Sequence, residues 1–259
     1  TNLVPVYAAG CKGNRDYYVM PYIRGGNLHE FVRAVKEWAA APTGEALDIQ
    51  NLVVKLADAK DKSHLRPWET LKPTVKPRPA PATAAARKLP HYYYVWVARR
   101  LIETASALAT AHRAGVLHLD VKLSNILIET PSDIAKVLDF GLAQSYQKTA
   151  DRESQRVECD PARVPPYAAP EVLQGWADAR ADVHGLGACL YELITLRKPA
   201  EENTSPAPSD LAAVAKKALA ANPDERYPSA EAFADDLQRW LDRRPPKARN
   251  RLLDLPRSL

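Results

Sequence analysis

The segment His118-Leu119-Asp120-Val121-Lys122-Leu123-Ser124-Asn125 puts a carboxylate, an ammonium group and a carboxamide on one tight loop. Two further signatures follow it in order, Asp139-Phe140-Gly141 and then Ala169-Pro170-Glu171. Any one of them is a weak signal, because a surface carboxylate or a helix cap accounts for it equally well. All three together in this order make coincidence a poor account of them.

The rest of the chain supplies that framework. Residues 3–8 and 16–20 are short, β-branched or aromatic stretches separated by Gly10-Cys11-Lys12-Gly13-Asn14, which reads as a β-hairpin. Gly25-Gly26-Asn27 breaks the strand, and a helix is expected from about Asn27 to Trp38 with Asn27 as its N-cap. Ile49, Leu52, Val53 and Leu56 follow the i, i+3, i+4, i+7 pattern of an amphipathic helix starting near Asp48. A long helix follows from about Tyr92 to Arg113, with Val97, Leu101, Ala105, Leu108 and His112 on its buried stripe and Gly115 after its end. Three more helices are expected at about 181–196, 209–221 and 229–242, the last stopped by Pro245-Pro246. Residues 72–81, Lys-Pro-Thr-Val-Lys-Pro-Arg-Pro-Ala-Pro, favour extended, solvated backbone. They read as a flexible insert, or as a proline-rich ligand for a partner domain.

Bulk properties exclude several classes. The 259 residues carry 46% hydrophobic and 26% charged side chains, as a globular protein does. No run of about 18 apolar residues occurs, so no membrane segment is expected within the chain. Cys11, Cys159 and Cys189 are scattered and odd in number, forming neither a metal pair nor a disulfide framework, which fits a reducing cytoplasm. The net charge is +5. Without a basic stripe or an aromatic stacking platform it reads as a basic insert and tail, and no nucleic-acid partner is expected.

The ordered signatures resemble those of protein kinases, H-R-D-x-x-x-x-N followed by D-F-G and A-P-E, and most closely the eukaryotic-like serine/threonine kinases of bacteria. The resemblance covers nearly the whole chain and implies a mainly α fold. Residues 1–24 would be a remnant β-hairpin and hinge of the small lobe. Residues 25–244 would be the kinase-like large lobe, with an insert at about 41–90, and 245–259 a basic tail. It implies ATP and Mg2+ as cofactors, a protein hydroxyl as acceptor, and a cytoplasmic setting, alone or as the cytoplasmic part of a membrane-anchored protein. Phosphoryl transfer needs a base, positive charge on the γ-phosphate and oxygens for magnesium. By resemblance Asp120 is the base, Lys122 neutralises the phosphate, and Asn125 and Asp139 hold metal. Met20 matches the gatekeeper, the backbone of Pro21 and Ile23 the adenine edge, Asn27 the ribose contact and Leu127 the adenine floor. Core packing or capping accounts for each of these last five equally well. His118, Phe140 and Val6 resemble members of a stacked apolar spine. Asp182 matches the aspartate that holds the catalytic loop's backbone, and Glu171 and Arg226 match a buried ion pair.

The pattern also departs from the family. The 259 residues contain no Gly-rich phosphate loop, no third-strand lysine and no partnering helix glutamate. Gly10-Cys11-Lys12-Gly13 reads as a turn, and Lys55 and Lys60 as solvated. Leu119 replaces the arginine that pairs with an activation-loop phosphate, so phosphorylation at Ser145, Thr149 or Ser154 loses its main acceptor. Val164 stands where a threonine hydroxyl is usual, and the further helix that the family carries between Arg197 and Ser209 reads as absent or reduced to a loop. Two readings follow. One is the C-terminal part of a serine/threonine kinase catalytic domain, inactive as this chain alone. The other is a pseudokinase or truncated scaffold. A kinase-like enzyme acting on small molecules is disfavoured by the intact Ala169-Pro170-Glu171.

Overall fold

The computed structural model describes residues 2–13, 15–42, 44–65, 87–140, 144–145, 155–157, 167–199 and 207–250. The proline-rich stretch 72–81, Gly141, Thr149, Ser154, Cys159, Val164, most of the interval before Ser209 and the tail from 251 lie outside them.

The N-terminal hairpin is present, but its first strand lies further along than expected. β1 (Ala8–Lys12) pairs antiparallel with β2 (Arg15–Val19), from Ala8 opposite Val19 to Lys12 opposite Arg15. A ladder closing at Lys12 leaves a two-residue turn, and Gly13 supplies the positive φ (65°) that such a turn demands. Residues 2–4 pair elsewhere. Val137 donates its N–H to the Asn2 carbonyl (2.8 Å), and Val4 donates to the Val137 carbonyl (3.3 Å).

β3 (Gly25–Asn27) leads directly into α1 (Leu28–Ala40). Asn27 caps this helix in a full capping box: Glu30 N–H donates to Asn27 Oδ1 (2.9 Å), and Asn27 N–H donates to Glu30 Oε2 (3.1 Å). Leu28, Phe31, Val32, Val35 and Ala39 form its buried stripe. α2 (Ile49–Leu65) is the expected insert helix, and Asp48 accepts the Asn51 N–H (2.9 Å) at its start. Leu47, Ile49, Val53 and Ala57 are buried, so α2 belongs to the core and packs on β3 and α1. A Cβ on Gly26 would lie 2.6 Å from Leu56 Cβ, so this close approach requires glycine. Lys60, expected to be solvated, pairs with Glu30 at 3.4 Å.

α3 (His91–Arg113) is the long central helix, with Val97, Leu101, Ala105 and Leu108 fully buried. Its Tyr93 is also enclosed, and the hydroxyl donates to the Leu193 carbonyl at 2.7 Å. Burial would otherwise leave that phenol unpaired at a cost of about 1–3 kcal/mol. β4 (Val116–Leu117) follows, then the polar loop, a 3₁₀ turn at Leu123–Asn125, and the hairpin β5 (Ile126–Glu129) and β6 (Ile134–Val137). The sheet order is β3-β5-β6, all antiparallel. β7 (Gln144–Ser145) pairs with β4, while β8 (Gln155–Arg156) pairs with β9 (Trp176–Ala177), which follows α4 (Pro170–Leu173).

α5 (Ala179–Thr195) runs through the middle of the lobe and is buried nearly all round. α6 (Ser209–Ala218) ends before the expected residue 221, because Asn222 opens a 3₁₀ turn at Pro223–Glu225 by accepting the Asp224 N–H (3.0 Å). α7 (Ala230–Leu241) is capped by Ser229. The segment expected to be a loose tail begins instead with α8 (Lys247–Asn250). Buried Asp236 accepts the N–H groups of Lys247 (2.6 Å) and Ala248 (2.9 Å), and Ala248 packs inward. No helix among the described residues is long and apolar enough to cross a membrane. The molecule is a helical lobe with a small N-terminal β-hairpin, as the sequence pattern implies.

Gly26→Ala should push α2 off β3 and lower stability by about 1–3 kcal/mol. The check is a lower urea midpoint at unchanged slope.

Candidate active site

Asp182, in the first turn of α5, fixes the loop that carries the polar signature. Its Oδ1 accepts the Leu119 N–H (2.7 Å), and its Oδ2 accepts the His118 N–H (2.8 Å) and bonds His112 Nε2 (2.7 Å). Burial alone would raise this carboxyl's pKa; the bond and charge of His112 and the His118 N–H outweigh it and hold the pKa below the ordinary carboxylate value. The loop needs such a hold, because Leu119 sits at φ 61°, a left-handed conformation costing about 1–2 kcal/mol for a side chain of this type. Gly185, one turn along α5, completes the seat: a Cβ there would lie 2.7 Å from Val121 Cβ.

His118 is fully buried and packs against Phe140, with ring centroids 4.5 Å apart and the ring planes tilted by 46°. Its Nδ1 accepts the Asp120 N–H (3.3 Å), so Nε2 carries the proton and donates it to the Leu138 carbonyl (3.0 Å). The ring therefore ties the loop to the segment that leads into Asp139. Val6 does not join this stack as expected. It is 53% exposed, because the chain before Ala8 follows β6 only as far as Val4; Leu3 packs on the core instead.

Asp120 is 5% exposed. Its Oδ2 receives Lys122 Nζ (2.5 Å) and Asn125 Nδ2 (3.1 Å), and Asn125 Nδ2 also donates to the Asp120 carbonyl (3.0 Å). Asp120 Oδ1 is buried without a hydrogen-bond partner among the described residues. With Nδ2 turned to Asp120, Asn125 Oδ1 faces elsewhere and accepts only a long bond from Ser124 Oγ (3.4 Å). Leu138 N–H donates to the Asn125 carbonyl (2.9 Å), which brings the next residue, Asp139, to the same end of the β5–β6 hairpin. Asp139 is exposed and has φ 61°. No group of three His, Cys, Asp or Glu side chains able to hold a metal occurs among the described residues. The sequence-derived pair at this end, Asn125 and Asp139, offers carboxamide and carboxylate oxygens.

The second group of sequence-derived residues lies along the sheet edge. Met20 is 42% exposed, while Pro21 and Ile23 are half-buried. Asn27 stands opposite Leu127 in the β3–β5 ladder, and Leu127 is buried. Asn27 Oδ1 is used in the α1 cap, leaving Nδ2 without a hydrogen bond among the described residues. Sequence reasoning missed the hydrogen bonds that hold this edge from outside, those of Tyr22 and Arg24 to the α2 carboxylates Asp61 and Asp58. Nothing in the local spacing announces them, because they join segments far apart in the chain.

Below the loop, Arg226 and Glu171 form the expected ion pair in bidentate form, at 2.6 and 2.8 Å. Arg226 also donates to the carbonyls of Ala220, Ala221 and Arg180. His184 lies alongside, and burial together with the Arg226 charge lowers its pKa to about 4. Leu119 packs with Leu117, Val157, Ala169, Val172, Ala177 and Ala181 in a separate apolar cluster.

Comparison with known proteins agrees with this geometry. Residues 95–251 match the family model described as the protein kinase domain. The chain is 35% identical over 178 residues to serine/threonine-protein kinase PknB of Mycobacterium leprae, covering 60% of this chain and 28% of that relative. It is 32% identical over 179 residues to PknB of Mycobacterium tuberculosis (61% and 28%), and 33% identical over 197 residues to serine/threonine-protein kinase pkn3 of Myxococcus xanthus (62% and 36%). The matched region thus spans 28% to 36% of the length of these relatives.

Asp182→Ala strands two buried N–H groups and His112, and should cost about 3–5 kcal/mol in urea unfolding. For His184 the unfolded chain binds the proton more readily than the native state. Its contribution is complete above pH 6.5 and should be lost as pH falls toward about 4. That part of the pH dependence of the urea midpoint should disappear in His184→Gln.

Proposed function

From the premise that this chain belongs to the protein kinase family, we propose that it is the C-terminal part of a serine/threonine kinase catalytic domain, transferring the γ-phosphate of ATP to a protein hydroxyl. The observation that carries this reading is the asymmetry of Asp120. One oxygen is held by Lys122 and Asn125, and the other is buried with no partner among the described residues. A buried acceptor without a donor costs about 1–3 kcal/mol, and such groups recur where a ligand completes the bonding.

In this reading the acceptor hydroxyl donates to Asp120 Oδ1 and passes its proton there as the oxygen attacks phosphorus. Lys122, already beside the carboxylate, offers its ammonium to the transferring phosphate. Asn125 and Asp139 would hold Mg2+, which when bound neutralises charge on the phosphates. The carbonyl of Pro21 and the backbone of Ile23 meet the adenine edge, with Met20 as the gatekeeper beside it. Leu127 lies under the ring, and Asn27 Nδ2 reaches the ribose. Use of ATP fits a cytoplasmic setting, alone or as the cytoplasmic part of a membrane-anchored protein.

A second reading, a kinase-like scaffold that binds partners without catalysis, is favoured by Leu119. A side chain buried in an apolar cluster cannot take the part of the phosphate-binding arginine. The 259 residues also carry no G-x-G-x-x-G phosphate loop. The purified 259-residue chain should therefore transfer little phosphate. ATP with Mg2+ should still raise its melting temperature, by an amount equivalent to about 2.7 kcal/mol at a hundredfold excess over Kd. The shift should vanish in Asp139→Ala. Robust incorporation that disappears in Asp139→Ala would show the chain to be active by itself. No shift at any Mg2+ concentration would leave the scaffold reading.

A further inference from the structure

The insert between α1 and α3 reaches the candidate nucleotide edge. On α2, Asp58 and Asp61 lie one turn apart, and both face the stretch that joins β2 to β3. Arg24 bonds Asp58 and, through Nε, Asp61 at 2.8 Å, while Tyr22 donates its hydroxyl to Asp61. Lys60, between the two aspartates, pairs with Glu30 at 3.4 Å, and Glu30 is the residue that closes the Asn27 capping box. Leu56 packs against Gly26 where α2 crosses β3. The Arg24 carbonyl is fixed from the other direction by Thr130, through its N–H (2.9 Å) and its hydroxyl (3.2 Å).

Tyr22 and Arg24 flank Ile23. In extended backbone, alternate side chains point to opposite sides. Tyr22 and Arg24, two residues apart, are both held by α2 and so bracket Ile23 from one side. The Ile23 backbone itself makes no backbone hydrogen bond to another described residue. We propose that α2 is a positioning element for the nucleotide. It holds the hinge from the outside, so that the Ile23 backbone and the Pro21 carbonyl stay presented on the inside. This rests on the reading of residues 20–24 as the adenine contact. Arg24, Asp58 and Asp61 are 44%, 46% and 35% exposed, so one pair alone would hold weakly. The shared Asp61, the second carboxylate and the Leu56 contact act together.

The test uses Arg24→Asp, Asp61→Arg and the two combined, with Asp58 kept. The combined variant restores opposite charges across the same gap. Two readouts apply: amide hydrogen exchange over residues 23–27 without nucleotide, and Mg2+-dependent affinity for a fluorescent ATP analogue. Each single variant should speed exchange and weaken the analogue about threefold to tenfold, and the combined variant, which restores the charge pair between positions 24 and 61 but not the Tyr22 bond, should bind more tightly than either. A purely structural loss would not be rescued by the swap. Unchanged exchange in both single variants overturns the inference. So does faster exchange with unchanged affinity, or a weakening that the combined variant leaves in place. A wild-type chain that binds no analogue overturns the adenine reading itself, and the exchange data then show separately whether α2 holds the hinge.

Discussion

One buried carboxylate organises the site. Asp182 has two oxygens and three donors to satisfy, the N–H groups of His118 and Leu119 and the Nε2–H of His112. The donors come from a loop and a helix end that would otherwise be independent. Without that acceptor, the left-handed turn at Leu119 has nothing to offset its cost, and two backbone N–H groups lose their partner inside the protein. With it, His118 is aligned to bond both Asp120 and Leu138, and Asp120 is turned toward Lys122 and Asn125. Asp182 can do this because α5 is enclosed by the rest of the lobe, which keeps its first turn in place.

Much of this was legible in the chain because it depends on local chemistry. Asn27 reads as the N-cap of α1 from sequence alone, and the structure adds Glu30, which closes the capping box. The i, i+3, i+4, i+7 pattern located α2, and the glycine-flanked stretches located the hairpin. The loop residues from His118 to Asn125 converge because they are close in sequence. What was not legible depends on contacts between distant segments. The shift of β1 from 3–8 to Ala8–Lys12 reflects competition for Asn2 and Val4 by the β6 edge. Val6 was left exposed by the same competition. Gly26 looked like a strand breaker but serves as the contact point for Leu56. The start of the tail was misjudged because Asp236, eleven residues before Lys247, accepts the first N–H groups of α8.

Leu119 shows how an apparent loss can be absorbed. The resemblance to protein kinases implies a cation at this position, and the side chain is instead apolar. Its neighbours are apolar too: Val157 directly follows β8, and Val172 and Ala177 come from α4 and β9. Burying such a leucine is worth about 1.5–3 kcal/mol. The strand pairs of Gln155 with Ala177 and Arg156 with Trp176 run beside this cluster, and the Arg156 guanidinium lies over the Trp176 ring at 5.4 Å, so residues 155–157 are anchored by strand pairing, apolar contact and a cation–π contact.

The seating of Val121 on Gly185 has a consequence for motion. A loop pressed onto a helix backbone with no intervening side chain has no room to hinge separately from that helix. Since α5 is also the most enclosed helix of the lobe, opening the loop requires disrupting the lobe. The amides of His118 and Leu119 thus belong to the slowest-exchanging class, and their exchange reports the free energy of global unfolding. The polar residues of this loop form a rigid block, and relative motion falls to the sheet edge beside it.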